Sequence, residues 1–440
     1  MHTTCMGSTP KGRTPRGVDA HDVHLLDALS RLSIRPHMQL ASRLELIEPS
    51  PTLAISARAA ELKAQGKDIV GFGAGEPDFD TPPHIKAAAI EALNQGFTKY
   101  TAVSGIPELK QAIIAKFKRD NQLDYKASQI IISTGGKQVL YNFFLSVLNN
   151  GDEVVCPAPY WVSYKDIVLL AGGQMKLIHT TFESGFKLTP ADIEKNVSAK
   201  TKVFILNSPS NPTGAAYTPD EIRALAAALE KFPDLIVVTD DIYEKLTYGV
   251  EFLNVATASE KLRPRTVVVN GLSKAYSMTG WRLGYAGGPV EIIAAMDMIQ
   301  GQSTSNPTSF SQKGAVAALN AEQQCVEDMR RVFEKRRDLA FGLLSGLKGL
   351  SVFKPQGAFY LFPDIAGLKA APGWADLAKR TGETDNGKIF SKGLLDEKLV
   401  AVVPGSAFGY ENGFRISYAT SDAQIEKGLG RIREFVQALW

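Results

Sequence analysis

An α/β fold, a mostly parallel central sheet wrapped by helices in a two-lobed chain, is what this sequence predicts. Two observations carry the prediction. Apolar runs of strand length alternate with helical patterns after Met38. The 440 residues also exceed the roughly 100–200 that one core usually organises. Pro107–Asn121 reads as a helix because Leu109, Ala112, Ile113 and Phe117 share one face. Ile130–Ile132, Glu153–Cys156, Lys202–Leu206, Leu235–Val238 and Thr266–Val269 read as buried strands. Thr218, Pro219 and Glu221 form a capping box ahead of a helix over Ile222–Leu229. The charge-rich stretch Arg330–Asp338 reads as a solvated helix face. Leu399–Val403 is only strand-length, and no apolar run reaches the ~18 residues that a membrane span needs.

Composition narrows the function classes. A net charge of +3 over this length gives no reason to expect nucleic acid or a membrane as partner. Cys5, Cys156 and Cys325 form no CxxC pair, which disfavours a disulfide framework and fits a reducing compartment. The six histidines are scattered, four of them in the first 37 residues, so no protein-bound metal is expected. Residues 1–37 stand apart: basic at first, then an amphipathic stretch, Asp22–Ile34. Two readings stay open for them, an extension before the core and an organelle transit peptide. The expected location is the cytoplasm, or an organelle on the second reading.

In such sheets ligands bind beyond the carboxyl ends of the strands. Successive strand ends here lead into Gly135-Gly136-Lys137, Pro159-Tyr160-Trp161, Asn207–Gly214, Asp240-Asp241-Ile242-Tyr243 and Ser273-Lys274. Together they suit a flat, phosphate-bearing pyridine. Bare amides at Gly135-Gly136 open a helix whose dipole favours a phosphate. Ser273 and Arg282 add a hydroxyl and a fixed cation. Trp161 offers a stacking face, and Asp240 a carboxylate for a protonated ring nitrogen. Asn211 and Tyr243 can donate to a ring oxygen, and Lys274 can form a Schiff base and then move a Cα proton. Any one of these is ordinary alone, since a lone lysine is usually a solvated charge. Gly71-Phe72-Gly73-Ala74-Gly75 has the wrong spacing for a dinucleotide loop.

At this point the sequence resembles the class I aminotransferases, within the fold-type I enzymes that use pyridoxal 5′-phosphate (PLP). Ser273–Gly284 resembles the family's cofactor-lysine segment. Asn211-Pro212-Thr213-Gly214, Asp240–Tyr243, Phe414–Tyr418 and Gly73–Phe79 match four further motifs. The match runs from about Leu40 to the C-terminus. The resemblance implies that Lys274 carries PLP and shuttles the proton, and that Asp240 pairs with the ring nitrogen. It gives Tyr243 and Asn211 to the ring oxygen and Trp161 to the ring face. Ser273, Arg282 and the Gly136–Lys137 backbone go to the phosphate. Gly75 and Arg415 go to the substrate carboxylate, with Trp161 and Asn211 also at the substrate. Tyr100 would reach the phosphate of a neighbouring subunit, which implies a homodimer with shared sites.

The sequence is most similar to the aspartate aminotransferase subgroup Iβ, some of whose members also act on prephenate. In that branch Thr52 and Lys137 occupy places linked to dicarboxylate or prephenate recognition; Lys137 as a plain phosphate contact stays open. The implied layout is a small α/β lobe of residues 38–79 plus 325–440 and a large PLP lobe of 80–324, with Arg415 closing over the site. The small lobe includes a helix around Glu327–Leu344 and a strand near Gly357–Phe362. Rival readings are an aromatic or alanine aminotransferase, a C–S β-lyase, a decarboxylase or a cyclopropane-carboxylate synthase on the same scaffold. A non-enzymatic regulator would need a DNA-binding module that residues 1–37 are too short to form.

Overall fold

Short runs of β-branched and apolar residues, each followed by Gly, Pro, Asn or Asp, build the sheet. The computed structural model describes residues 39–440. The expected N-terminal extension, its amphipathic stretch and Cys5 lie outside the described residues. Among the described residues the strands are β1 (Val70–Gly71), β2 (Ile130–Ser133), β3 (Glu153–Ala158), β4 (Gln174–His179), β5 (Thr201–Asn207) and β6 (Ile236–Asp240). They continue as β7 (Thr266–Gly271), β8 (Gly284–Gly287), β9 (Tyr360–Leu361), β10 (Val400–Ala401), β11 (Val403–Pro404) and β12 (Phe414–Ser417).

Seven strands form the central sheet in the order β2-β8-β7-β6-β5-β3-β4. Only β8 in this sheet runs antiparallel to its neighbours, β2 and β7. The five strands expected from the sequence are all present, each extended by one or two residues, with the start of β6 shifted by one. Two further strands, β4 and β8, carry no clear apolar run. Helices cover both faces and bury Ile132, Phe143, Val154, Phe204, Val237 and Val268. The helix Pro107–Asn121 buries the expected Leu109, Ala112, Ile113 and Phe117. At helix Pro219–Leu229 the Thr218 hydroxyl accepts from the Glu221 amide at 3.2 Å, and Glu221 accepts from the Thr218 amide at 2.7 Å.

A second core gathers β1, β10, the three-stranded sheet β11-β12-β9 and the helices Gln324–Leu344 and Asp422–Ala438. The Arg330–Asp338 stretch departs from its expected solvated face. Arg336 and Arg337 are buried, Arg336 by a fork onto Asp78 and Arg337 against the Tyr248 ring at 4.8 Å. Guanidinium heads tolerate such burial where carboxylates and aromatic faces replace water. Among the described residues no helix is long and apolar enough to cross a membrane. Nor do three or more His, Cys, Asp or Glu side chains gather as a metal-holding cluster among them.

Candidate active site

Six of the seven sheet strands share a direction, so their carboxyl ends deliver loops to one edge. Asp240 ends β6 with its side chain buried. The Tyr164 phenol donates to its Oδ2 at 2.7 Å, and the Ile242 amide approaches Oδ1 at 3.4 Å. Burial pushes its carboxyl pKa up, while the Tyr164 bond, the Ile242 amide and the Lys274 charge pull it back. Three residues beyond β7, the Lys274 ammonium is half-buried and donates to the Gly75 carbonyl at 2.5 Å. Burial lowers its pKa to about 8; Arg415 and Arg282 repel the charged form, and Glu76 and Asp240 oppose the shift.

That value predicts a measurable outcome in the cofactor-free protein. Above about pH 8 most Lys274 is a free amine, so an aldehyde reagent should label it with a midpoint near 8. A midpoint near 10 would contradict the arrangement.

Arg415, on β12, is 2% exposed. Its Nη1 donates to Asn211 Oδ1 at 2.9 Å and its Nη2 to the Gly73 carbonyl at 2.7 Å. The rings of Tyr360 and Phe408 lie 4.7 and 5.0 Å from its guanidinium carbon. Both hydrogen-bond partners are neutral, Nε has none, and among the described residues no carboxylate pairs with it. A buried cation without a counter-anion costs several kcal/mol, about 3–5 when a partner is lacking. The arrangement therefore favours an incoming anion.

Arg282 stands over an uncapped helix N-terminus, a geometry suited to an anion. Gly135, at φ = 90°, turns the chain from β2 into the helix Gly136–Val147, which has no side-chain cap. A Cβ on Gly135 would collide with the Arg282 guanidinium, so that head group sits directly over the turn. Gly284 permits an equally close approach, since its Cβ would meet the Gly136 amide nitrogen. Arg282 itself holds φ = 56°, a left-handed conformation that costs about 1 kcal/mol. Ser273 is buried beside Lys274. Lys137 lies 5.3 Å from the Trp161 ring; desolvation, then Arg282, lowers its pKa. Trp161 stands edge-on to Tyr164 at 5.2 Å.

The structure thus links Lys274, Asp240, Asn211, Tyr243, Arg415, Gly75, Gly136, Arg282, Lys137 and Trp161 through direct contacts or shared neighbours. Tyr100 and Thr52 are not tied to this group within one chain. Tyr100 is 91% exposed, and the Thr52 side chain pairs with Ser50 Oγ at 2.9 Å. Sequence reasoning missed Tyr164 and Tyr360. The Tyr360 phenol is 2.7 Å from that of Tyr243, and a Cβ on Gly75 would lie 2.8 Å from it. Burial raises the pKa of both phenols, so each is neutral and able to donate.

A phosphate cradle, a buried carboxylate, an amine with a lowered pKa and an unpaired guanidinium fit PLP together with an anionic substrate. Comparison with known proteins agrees in kind. The aminotransferase class I and II family pattern matches residues 67–432. An aspartate/prephenate aminotransferase of Cereibacter sphaeroides is 50% identical over 403 residues, 91% of this chain and 99% of that protein. An aspartate aminotransferase of Bacillus sp. YM-2 is 50% identical over 400 residues, 90% of this chain and 99% of that protein. The crystal structure of an aspartate aminotransferase from Rhizobium meliloti superposes with a TM-score of 0.86 at 46% identity, covering 91% of this chain and 99% of that one.

Proposed function

The chain belongs to the aminotransferase class I and II family, and from that premise we propose that it moves an amino group between L-aspartate or L-glutamate and 2-oxo acids, prephenate among them, with PLP carried on Lys274. The observation that carries the reading is Arg415, a buried guanidinium with only neutral partners beside the Lys274 amine. A substrate carboxylate would supply the missing anion and place the substrate Cα near Lys274.

When bound, PLP supplies an electrophilic carbonyl for the amino group and an electron sink for the Cα electron pair. The chain supplies the rest. Lys274 Nζ, with its lowered pKa, takes the Cα proton and returns it. Asp240, steadied by Tyr164, would hold a carboxylate against the ring nitrogen. Tyr243 and Asn211 would donate at the ring oxygen, and Trp161 would cover the ring face. Ser273, Arg282 and the Gly136–Lys137 amides would hold the phosphate. Gly75 leaves room beside Arg415 and Tyr360 for the carboxylate. Lys137 lies on the Trp161 side of the site, suited to a distal carboxylate, and Thr52 and Tyr100 are read as acting across a homodimer boundary. Residues 80–324 are read as the cofactor lobe, and 38–79 with 325–440 as the lobe that closes on substrate.

The test is an acceptor panel. PLP-loaded protein with glutamate or aspartate as donor is offered oxaloacetate, 2-oxoglutarate, prephenate, phenylpyruvate and pyruvate. Turnover of oxaloacetate and prephenate supports the proposal, and turnover of oxaloacetate alone removes prephenate from it. Release of pyruvate and ammonia from cysteine conjugates, without amino transfer, would replace it with a lyase.

A further inference from the structure

The Gly73–Thr81 segment crosses the site without a backbone–backbone hydrogen bond of its own; the last before it involves Phe72 and the next Ile85. Side chains alone hold it. Arg415 Nη2 grips the Gly73 carbonyl at 2.7 Å and Lys274 Nζ the Gly75 carbonyl at 2.5 Å. Thr279 donates to Glu76 at 2.8 Å, while Thr81 donates to the Ser277 carbonyl at 2.6 Å and accepts from Trp281 at 2.9 Å. The Lys86–Asp80 pair at 3.8 Å is exposed and holds little.

The remaining tie is of another kind. Arg336 donates two parallel bonds to Asp78, at 2.6 and 2.9 Å, and a third from Nε to Asp422 at 3.2 Å. Its side chain is 9% exposed and stacks over Phe79 at 5.2 Å and Phe333 at 6.0 Å. Phe79 meets Phe333 edge-on at 5.3 Å, Phe333 packs on Phe359 at 5.2 Å, and the Lys274 ammonium lies 6.0 Å from the Phe359 ring. Two of the segment's ties, Arg415 and Lys274, belong to groups that must engage the substrate. The Arg336–Asp78 fork can persist throughout. A planar fork fixes orientation as well as distance, which a point charge does not.

We propose that Arg336 is a positioning residue for substrate binding: through Asp78 it fixes the height of the Gly73–Phe79 segment over the site and thereby sets affinity for the substrate carboxylate. The proposal rests on Arg415 being the carboxylate anchor. Arg336 touches no reacting atom, so its loss falls on binding rather than on proton transfer.

The test compares full-length PLP-loaded wild type with Arg336→Met, Arg336→Lys, Asp78→Asn, the Met/Asn double variant and Asp422→Asn. The readouts are succinate dissociation constants, the KM and kcat for aspartate, and hydrogen exchange at residues 73–81. Arg336→Met and Asp78→Asn are each expected to weaken succinate and raise KM by about tenfold, with kcat within about threefold. The double variant should be no worse than either single, Arg336→Lys should recover part of the loss, and Asp422→Asn should bind succinate normally. Exchange at 73–81 should quicken in the first two variants. A lowered Tm with unchanged succinate affinity and exchange, or additive losses, would overturn the proposal. A wild type that binds succinate but transfers no amino group would sink the functional reading, and the exchange and affinity comparison would still decide Arg336.

Discussion

Replacing Lys274 by alanine is expected to lower kcat by about 10⁴-fold or more. The substitution removes the amine whose pKa sits near 8 and whose Nζ already bonds the Gly75 carbonyl. The fold should survive, since the change also removes a half-buried, partly desolvated ammonium. Borohydride reduction of PLP-loaded wild type should fix the cofactor to one peptide, the one containing Lys274, and should fix none in the variant. A variant within about tenfold of wild-type turnover, well short of the roughly 10²–10⁴-fold that one general base supplies, would remove Lys274 from its assigned place.

The second large effect is at Arg415. Arg415→Leu should lower kcat/KM for aspartate by about 10²-fold, near 3 kcal/mol, as when one partner of a buried, hydrogen-bonded charge pair is truncated. Arg415→Lys should fall between, because it keeps a charge but loses the fork. Thermal shift separates binding from damage. Succinate should raise the Tm of wild type by filling the site and leave that of Arg415→Leu unmoved. Equal succinate shifts in both proteins would place the carboxylate elsewhere.

How much of this was legible in the sequence depends on what each residue does. β2, β3, β5, β6 and β7 were readable because buried parallel strands are continuous apolar runs. β4, reading Gln174-Met175-Lys176-Leu177-Ile178-His179, is an edge strand of mixed polarity, with Gln174 and His179 exposed. β8 reads Gly284-Tyr285-Ala286-Gly287, a poor strand by propensity. Its glycines are there for close approach, Gly284 against the Gly135–Gly136 turn and Gly287 against Tyr125. Lys274, Asp240, Asn211 and Arg415 were legible because they follow or lie on strands within long motifs. Tyr164 sits in an apolar helix pattern and Tyr360 in an apolar run, where a phenol looks like any core aromatic. Only the fold shows that one tip reaches Asp240 and the other Tyr243. Arg336 was misread for the same reason: its partner Asp78 is 258 residues away.

The central claim, that Lys274, Asp240 and Arg415 together run an amino-transfer half-reaction, is tested most directly without any acceptor. PLP-loaded protein is mixed with excess L-aspartate alone, and oxaloacetate is quantified. The account predicts a burst of about one oxaloacetate per chain that then stops, and that restarts only when a 2-oxo acid is added. Continuous product release without an acceptor, or no oxaloacetate at all, would contradict it.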